Sequence, residues 1–488
     1  MSYERTELFI DGRWRAPSTA ATSTVISPAT GAAIGTIPQG GTSDVDAAVD
    51  AAGRALRSKE WGAISLEERV GLLSRLATEL ERTAATRAEL TSVQNGMPIT
   101  LSVGAEGAGP PALLRYYAAI AASVPVEERR PRLDGKGITV VRREPVGVVA
   151  AIVPWNYPQL LTMFKVAPAL AAGCTVVLKP APETTLDALE LAAAAERAGL
   201  PPGVLNVVSG GADVGAHLVA HPGVHKVAFT GSTGAGRAIG EICGRLLRPA
   251  TLELGGKSAA IVLDDADLTT ITQGLASSSL LNNGQTCHLS TRILVPRQRA
   301  DEVLGAVVAV AESLTIGDPL DPATELGPMV SERQRRRVED YIELGRAGGV
   351  LATGGGRPDR DQGWFVEPTV FGGVRNDSRI AREEIFGPVL TVIGYDDLDE
   401  AVTIANDSEY GLGGTVWTAD IDRGLEVARR VETGTIGINF YDPDLGAPFG
   451  GVKSSGLGRE LGPEGFFAYQ QLKSIYLPQS ATPGDYPA

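Results

Sequence analysis

The chain has 488 residues, more than one ordinary hydrophobic core can organise, so two or more domains are expected. Hydrophobic residues make up 43% and charged residues 21%, the balance of a folded globular protein rather than a disordered or fibrous one. A formal net charge of -14 supplies no surplus of cations to displace counterions from phosphates, which argues against nucleic acid as a partner.

In chain order, Ser43 to Arg57 places Val45, Ala48, Val49, Ala52 and Leu56 on one helical face. Ser65 opens a second helix, with Glu68 three residues later completing a capping box. Pro131 to Arg143 reads as a hairpin, turned at Asp134-Gly135 and β-branched over Ile138 to Val141. From Val146 the rhythm changes to apolar strand, Gly or Pro break, helix. Strands are expected at 146–153, 175–178, 205–208 and 224–229, with helices over 186–198 and 235–247. The rhythm repeats after residue 258, with strands at 259–263 and 293–295 and a helix over 300–314. Such alternation indicates parallel α/β architecture. Residues 315–365 are richer in Gly, Pro and charge around one helix near Ser331 to Arg346, and the tail from Ser480 reads as frayed.

The three cysteines are Cys174, Cys243 and Cys287, with no CxxC pair, so a disulfide scaffold is not expected and a reducing compartment fits. The first ten residues lack the apolar core of a signal peptide, and the longest apolar stretches are too short to span a bilayer. The expected location is cytoplasmic, without a membrane partner. His217, His221 and His225 recur every fourth residue, but Pro222 and Gly223 break any helix there, and no metal site is expected.

Four motifs carry chemistry. Gly231-Ser232-Thr233-Gly234-Ala235-Gly236 joins a strand to a helix, where backbone N–H groups can approach a phosphate, although the spacing departs from GxGxxG. Cys287 ends the polar run Asn282-Asn283-Gly284-Gln285-Thr286, whereas Cys174 and Cys243 sit in core-like surroundings. Glu253 lies between two leucines and before Gly255-Gly256-Lys257, surroundings that desolvate a carboxylate and suit a general base. Asn156, in Pro154-Trp155-Asn156-Tyr157-Pro158, follows a buried strand and can donate its amide to an oxyanion. Each has a plain structural alternative: a tight turn, a small buried hydrophobe, a strand-end charge, a turn asparagine.

Taken in order along nearly the whole chain, these motifs resemble the aldehyde dehydrogenase superfamily. The resemblance includes Leu8-Phe9-Ile10-Asp11-Gly12, Ser27 to Gly31, Lys179-Pro180, Glu383-Glu384-Ile385-Phe386-Gly387-Pro388, Pro448 to Gly451 and Gly458-Arg459-Glu460. It implies oxidation of an aldehyde to a carboxylic acid by NAD, with NADP possible. The thiolate of Cys287 would attack the aldehyde, Asn156 would steady the oxyanion, and Glu253 would activate the water that hydrolyses the thioester. Lys165 and Glu460 resemble residues of a proton path. Trp155, Lys179, Gly231, Ser232, Gly236, Leu254, Glu384 and Phe386 match the family's cofactor positions. Tyr157, Leu161, Phe164, Thr286 and His288 are expected to line the aldehyde tunnel.

The implied fold is α/β: a Rossmann-type cofactor domain (1–122 and 145–254), an α/β catalytic domain (255–453), and oligomerisation or bridging segments (123–144 and 454–488) including a small hairpin. An open edge strand there leads to an expected homodimer or homotetramer. One departure concerns the cofactor. Many NAD-preferring members carry an acid three residues after the ribose lysine; here Pro182 stands there and Glu183 follows. NAD preference with tolerance of NADP is the resulting expectation. Two other readings are a CoA-acylating relative, disfavoured by Glu253, and a non-catalytic member of the fold, disfavoured because nucleophile and base are both present.

Overall fold

The computed structural model describes residues 3–478. The reading of the tail from Ser480 lies outside them. Two large sheets dominate. The first has eight strands, in the order Gly456–Leu457, Ala250–Glu253, Lys226–Thr230, Val148–Ile152, Thr175–Lys179, Leu205–Val207, Leu8–Ile10 and Arg13–Arg15. The five from Ala250–Glu253 to Leu205–Val207 run parallel, and antiparallel strands close both edges.

Burial on both faces explains why these strands read as unbroken apolar runs. In Val148–Ile152, Val148 and Ala150 pack with Val45, Val49 and Leu218 on one side. Val149 and Ala151 pack with Leu73, Leu170 and Leu189 on the other, the period of two that a strand imposes. From Val148–Ile152 the chain winds to one side through Thr175–Lys179 and Leu205–Val207. It then returns to the other side through Lys226–Thr230. The strand order therefore reverses between Val148–Ile152 and Lys226–Thr230, which opens a crevice at their carboxyl ends. Residues 153–157 and 231–236 leave the sheet there.

The second sheet has seven strands, ordered Val350–Thr353, Thr369–Gly372, Val389–Tyr395, Arg292–Pro296, Ala259–Val262, Gly414–Trp417 and Gly437–Ile438. Only Val350–Thr353 pairs antiparallel. The two cores on its faces are built around Phe371 and Val416 on one side and Ile293 and Trp417 on the other.

The expected hairpin forms from Glu127–Pro131 and Ile138–Pro145, with Gly135 turning at φ +69. Gln470–Tyr476 adds a third, outer strand that leaves Leu472 and Tyr476 exposed. Gly456–Leu457, from the same C-terminal segment, joins the first sheet instead. Ser65 and Glu68 exchange the hydrogen bonds of a capping box at the helix Leu66–Arg82. A small sheet of Tyr3–Glu4, Ala33–Gln39 and Ala21–Ile26 was not expected from the sequence. Among the described residues no helix is long and apolar enough to cross a membrane.

Candidate active site

A cleft of about 970 Å³ opens at the reversal point of the first sheet and faces the second. Trp155, Asn156, Gly231, Ser232 and Leu254 line it from the first sheet, and Cys287, Glu384 and Phe386 from the second.

Asn156 is buried just past Val148–Ile152. Its Nδ2 donates to the Gln285 carbonyl at 3.0 Å, leaving its second amide hydrogen free for another acceptor. Its own carbonyl accepts from Asn95 Nδ2 at 3.2 Å and Asn282 Nδ2 at 3.0 Å, and Asn95 also holds the Trp155 carbonyl. The Trp155 ring meets Phe386 edge-on, 5.3 Å between centroids. Asn95 and Asn282 were not singled out in the sequence.

The turn before Cys287 runs through three successive left-handed residues: Asn282 (φ +51), Asn283 (φ +62) and Gly284 (φ +73). Asn and Gly are the residues that tolerate this region. Asn283 is pinned further: its Nδ2 donates to the Gly96 and Pro328 carbonyls and its Oδ1 accepts from Gly327 N–H. On the opposite side Gly256 presses against the Cys287 carbonyl, where a Cβ would stand 2.4 Å from that oxygen. Glycine is required there by close approach.

The Cys287 thiol is pushed strongly up from its usual range, first by burial and then by the carboxylates of Glu384 and Glu253. The attack expected of the Cys287 thiolate therefore needs a base that first takes the thiol proton. Glu253 ends strand Ala250–Glu253, is 3% exposed, and neither carboxylate oxygen has a hydrogen-bond partner. Burial and then Glu460 hold it well above the carboxylate range, against the pull of Lys165 and Arg459. Lys165 Nζ donates to Glu460 at 2.9 Å and to Thr230 Oγ1 at 2.6 Å, all buried. Glu384 Oε1 accepts from Gly256 N–H at 3.0 Å. Burial raises Glu384 to about 7, opposed by that bond, Arg337 and Lys257.

Ser232 caps the helix Thr233–Arg245 and accepts from Ala235 N–H at 3.4 Å. Gly236 lets that helix close on Leu254, where a Cβ would come within 2.3 Å. Lys179 ends its strand outside the lining named above. Its Nζ donates to the Pro180 carbonyl, and burial lowers it to about 8 against the carboxylates of Glu183 and Asp213. Pro182 opens a short turn, Pro182–Thr184, and Glu183 faces Arg333 across the cleft at 3.7 Å. An acid thus stands one place beyond Pro182, within reach of the exposed Arg333.

On the far side of Cys287, Tyr157 Oη lies 3.1 Å from Thr286 Oγ1. His288 stacks on Tyr441 at 4.5 Å and meets Phe449 edge-on, and Phe449 also meets Phe164. Burial pushes His288 down to about 4, so the ring is neutral. Leu161 is buried in the same core as Tyr157 and Phe164. Tyr441 and Phe449 lie over 150 residues from Cys287; Phe449 falls in the Pro448 to Gly451 motif, whereas no local pattern announced Tyr441. Cys174 and Cys243 are free and buried, in keeping with their core-like surroundings. His217 and His221 face Asp46, and among the described residues no group of three or more His, Cys, Asp or Glu is placed to hold a metal.

A doubly wound sheet and a second parallel sheet facing one cleft define an α/β protein whose ligand site lies at the carboxyl ends of its strands. The model of the aldehyde dehydrogenase family matches residues 14–475. The geranial dehydrogenase of Castellaniella defragrans is 55% identical over 477 residues, covering 98% of this chain and 100% of that one. The phenylacetaldehyde dehydrogenase of Pseudomonas fluorescens is 40% identical, covering 96% and 95%. The crystal structure of a Mycobacterium tuberculosis aldehyde dehydrogenase complexed with NAD+ superposes with a TM-score of 0.96 at 45% identity, covering 99% and 100%. The chain belongs to the aldehyde dehydrogenase family, NAD(P)-dependent enzymes that oxidise an aldehyde to a carboxylic acid.

Proposed function

We propose that this enzyme oxidises an uncharged, apolar aldehyde through a covalent adduct on Cys287. The observation that carries the reading is the meeting of Cys287 and Asn156 in one cleft, with the buried Glu253 near enough to act on the Cys287 charge. Glu253 has no hydrogen-bond partner, burial raises its proton affinity, and its ionised form acts on Cys287, so in that form it is the group suited to take the thiol proton. The sulfur then adds to the aldehyde carbon. The free hydrogen of Asn156 Nδ2 and the Cys287 N–H receive the oxyanion. NAD, when bound, supplies the hydride acceptor that turns the thiohemiacetal into a thioester. Glu253 first hands the thiol proton to the adjacent Lys165–Glu460 pair; as a carboxylate again it deprotonates the attacking water, and that proton leaves by the same route.

The residues present fit the cofactor. The capped helix start at Ser232 offers first-turn amides to a pyrophosphate, Gly231 and Gly236 keep side chains out of the way, and Trp155, Leu254 and Phe386 supply apolar walls. Lys179 and Glu384 would take the two riboses. With Glu183 displaced toward Arg333, NAD is preferred and NADP is used more slowly. Comparing kcat/KM for the two tests this, and complete rejection of NADP overturns it.

Tyr157, Leu161, Phe164, Thr286, His288, Tyr441 and Phe449 present aromatic, aliphatic or neutral groups to the aldehyde side. A geranial-like or phenylacetaldehyde-like substrate suits that lining better than an amino or carboxy aldehyde. The Glu253 carboxylate favours hydrolysis over transfer to CoA. The assignment of 1–122 and 145–254 to the cofactor domain, 255–453 to the catalytic domain, and 123–144 with 454–488 to bridging is part of the same reading. So is a cytoplasmic homodimer or homotetramer, joined through the outer strand with exposed Leu472 and Tyr476. The test is NADH formation across a panel of aldehydes. The reading expects kcat/KM to be highest for C8–C10 apolar aldehydes; a preference for charged aldehydes overturns it.

A further inference from the structure

We infer that Glu106 is a positioning residue for the oxidation: its buried carboxylate caps, from fifty residues away, the helix that begins beside Asn156, and so fixes where the Asn156 amide points. The inference rests on the proposed role of Asn156 as oxyanion donor.

The helix Pro158–Ala171 starts two residues after Asn156 and lacks a cap of its own. Its N-cap residue is Tyr157, which makes no side-chain capping bond. Pro158 has no N–H, so the first donors needing partners are those of Gln159 and Leu160. Glu106 Oε2 accepts from both, at 2.7 Å and 3.4 Å. Burial raises the Glu106 carboxyl to about 8, opposed by those two N–H bonds and by Arg87, and in either protonation state its Oε2 can accept at the helix start. Glu106 is fully buried, and no step of the chemistry uses it.

The local sequence explains how the carboxylate reaches that position. Glu106 lies in a wide helical turn, Val103–Ala108, that precedes Gly109-Pro110-Pro111. Prolines at 110 and 111 cannot donate back to the carbonyls of residues 106 and 107. Arg87 takes those two carbonyls instead, Nη1 to Glu106 at 2.7 Å and Nη2 to Gly107 at 2.8 Å. Arg87 also bonds the Gln159 side chain, whose Nε2 reaches Thr91 Oγ1 at 2.8 Å and Asp187 Oδ1 at 3.0 Å. Three other chain segments, Ala84–Asn95, Val103–Ala108 and Thr185–Arg197, thus converge on the first turn of the helix. The first of them also supplies Asn95, which holds the carbonyls of Trp155 and Asn156. The segment 154–157 is gripped on its two sides, by Asn95 and Asn282 at its carbonyls and by Glu106 just beyond it.

A plain core-stabilising role predicts something different, and a double-mutant cycle separates the two. Glu106→Ala is measured alone and in an Asn156→Ala background, reading the burst rate of NADH formation, NAD affinity by fluorescence quenching, and exchange of the Gln159 and Leu160 amides. The expected result is a burst slowed roughly tenfold to hundredfold in the parent, the scale of a misplaced catalytic group. NAD affinity is unchanged, both amides exchange faster, and the Asn156→Ala enzyme slows no more than about twofold further. Glu106→Gln, which still accepts the two N–H bonds, restores most of the rate. If Glu106→Ala yields too little folded protein, Glu106→Asp, which withdraws the carboxylate by one methylene, runs the same cycle. An equal slowing in both backgrounds, a parallel loss of NAD affinity, or an unchanged burst overturns the inference. If Asn156→Ala by itself oxidises aldehyde at the parental rate, it is the oxyanion assignment that fails.

Discussion

Gly256→Ala is a direct test of how tightly Cys287 is placed. The new Cβ would stand 2.4 Å from the Cys287 carbonyl oxygen, and real Cβ contacts do not fall below 3.0 Å. Retreat is restricted, because Leu412 Cβ lies 3.4 Å away on another side. The side that gives is the Cys287 turn, already held in three left-handed residues, and the displacement required is roughly 0.6–1 Å. A shift of about 1 Å at a reacting group costs about a hundredfold in rate, or about 2.7 kcal/mol of barrier. The assay is a stopped-flow burst of NADH at saturating NAD and aldehyde, with the melting temperature and NAD affinity as controls. Gly305→Ala, in the helix Ala300–Ser313 with nothing within 4 Å of the added carbon, should leave the burst unchanged. A folded Gly256→Ala enzyme with a burst within threefold of the parent refutes the reasoning.

Cys287→Ala should abolish oxidation while NAD affinity stays within about twofold; any sustained turnover removes the nucleophile assignment. Glu253→Gln should give one equivalent of NADH and then a stall, with steady turnover down by about a hundredfold or more; normal steady turnover excludes it as the base of hydrolysis. NAD affinity should rise as pH increases through about 7. Burial favours the neutral acid form of Glu384 below that point, and only the carboxylate is a pure acceptor for ribose hydroxyls. Titrating NAD between pH 6 and 8 should therefore show tighter binding at the alkaline end in the parent and a flat profile in Glu384→Gln; the same slope in both would place the titration elsewhere.

The parallel strands were legible because burial on both faces leaves a local mark: Val148–Ile152 is apolar throughout and Thr175–Lys179 is apolar between its two end residues. Helix starts were legible where a cap announces itself, at Ser65 with Glu68 and at the Ser232 turn. The small sheet of Ala21–Ile26 and Ala33–Gln39 was not, because its outer strand is mostly exposed and carries Ala, Ser and Thr without alternation. Val350–Thr353 escaped for a similar reason, being an edge strand in a Gly- and charge-rich stretch. The site divides in the same way. Asn156, Glu253 and Cys287 stand in short unusual motifs, whereas Asn95 and Tyr441 reach the cleft only through tertiary packing. The upward push on the Cys287 thiol was not legible, because the carboxylates that add to burial, Glu384 and Glu253, are distant along the chain.

The upward push on the Cys287 thiol also bears on its survival between turnovers. Peroxide and adventitious electrophiles attack thiolates far faster than thiols. Burial and the two carboxylates that raise the thiol therefore slow its loss while no aldehyde is at hand.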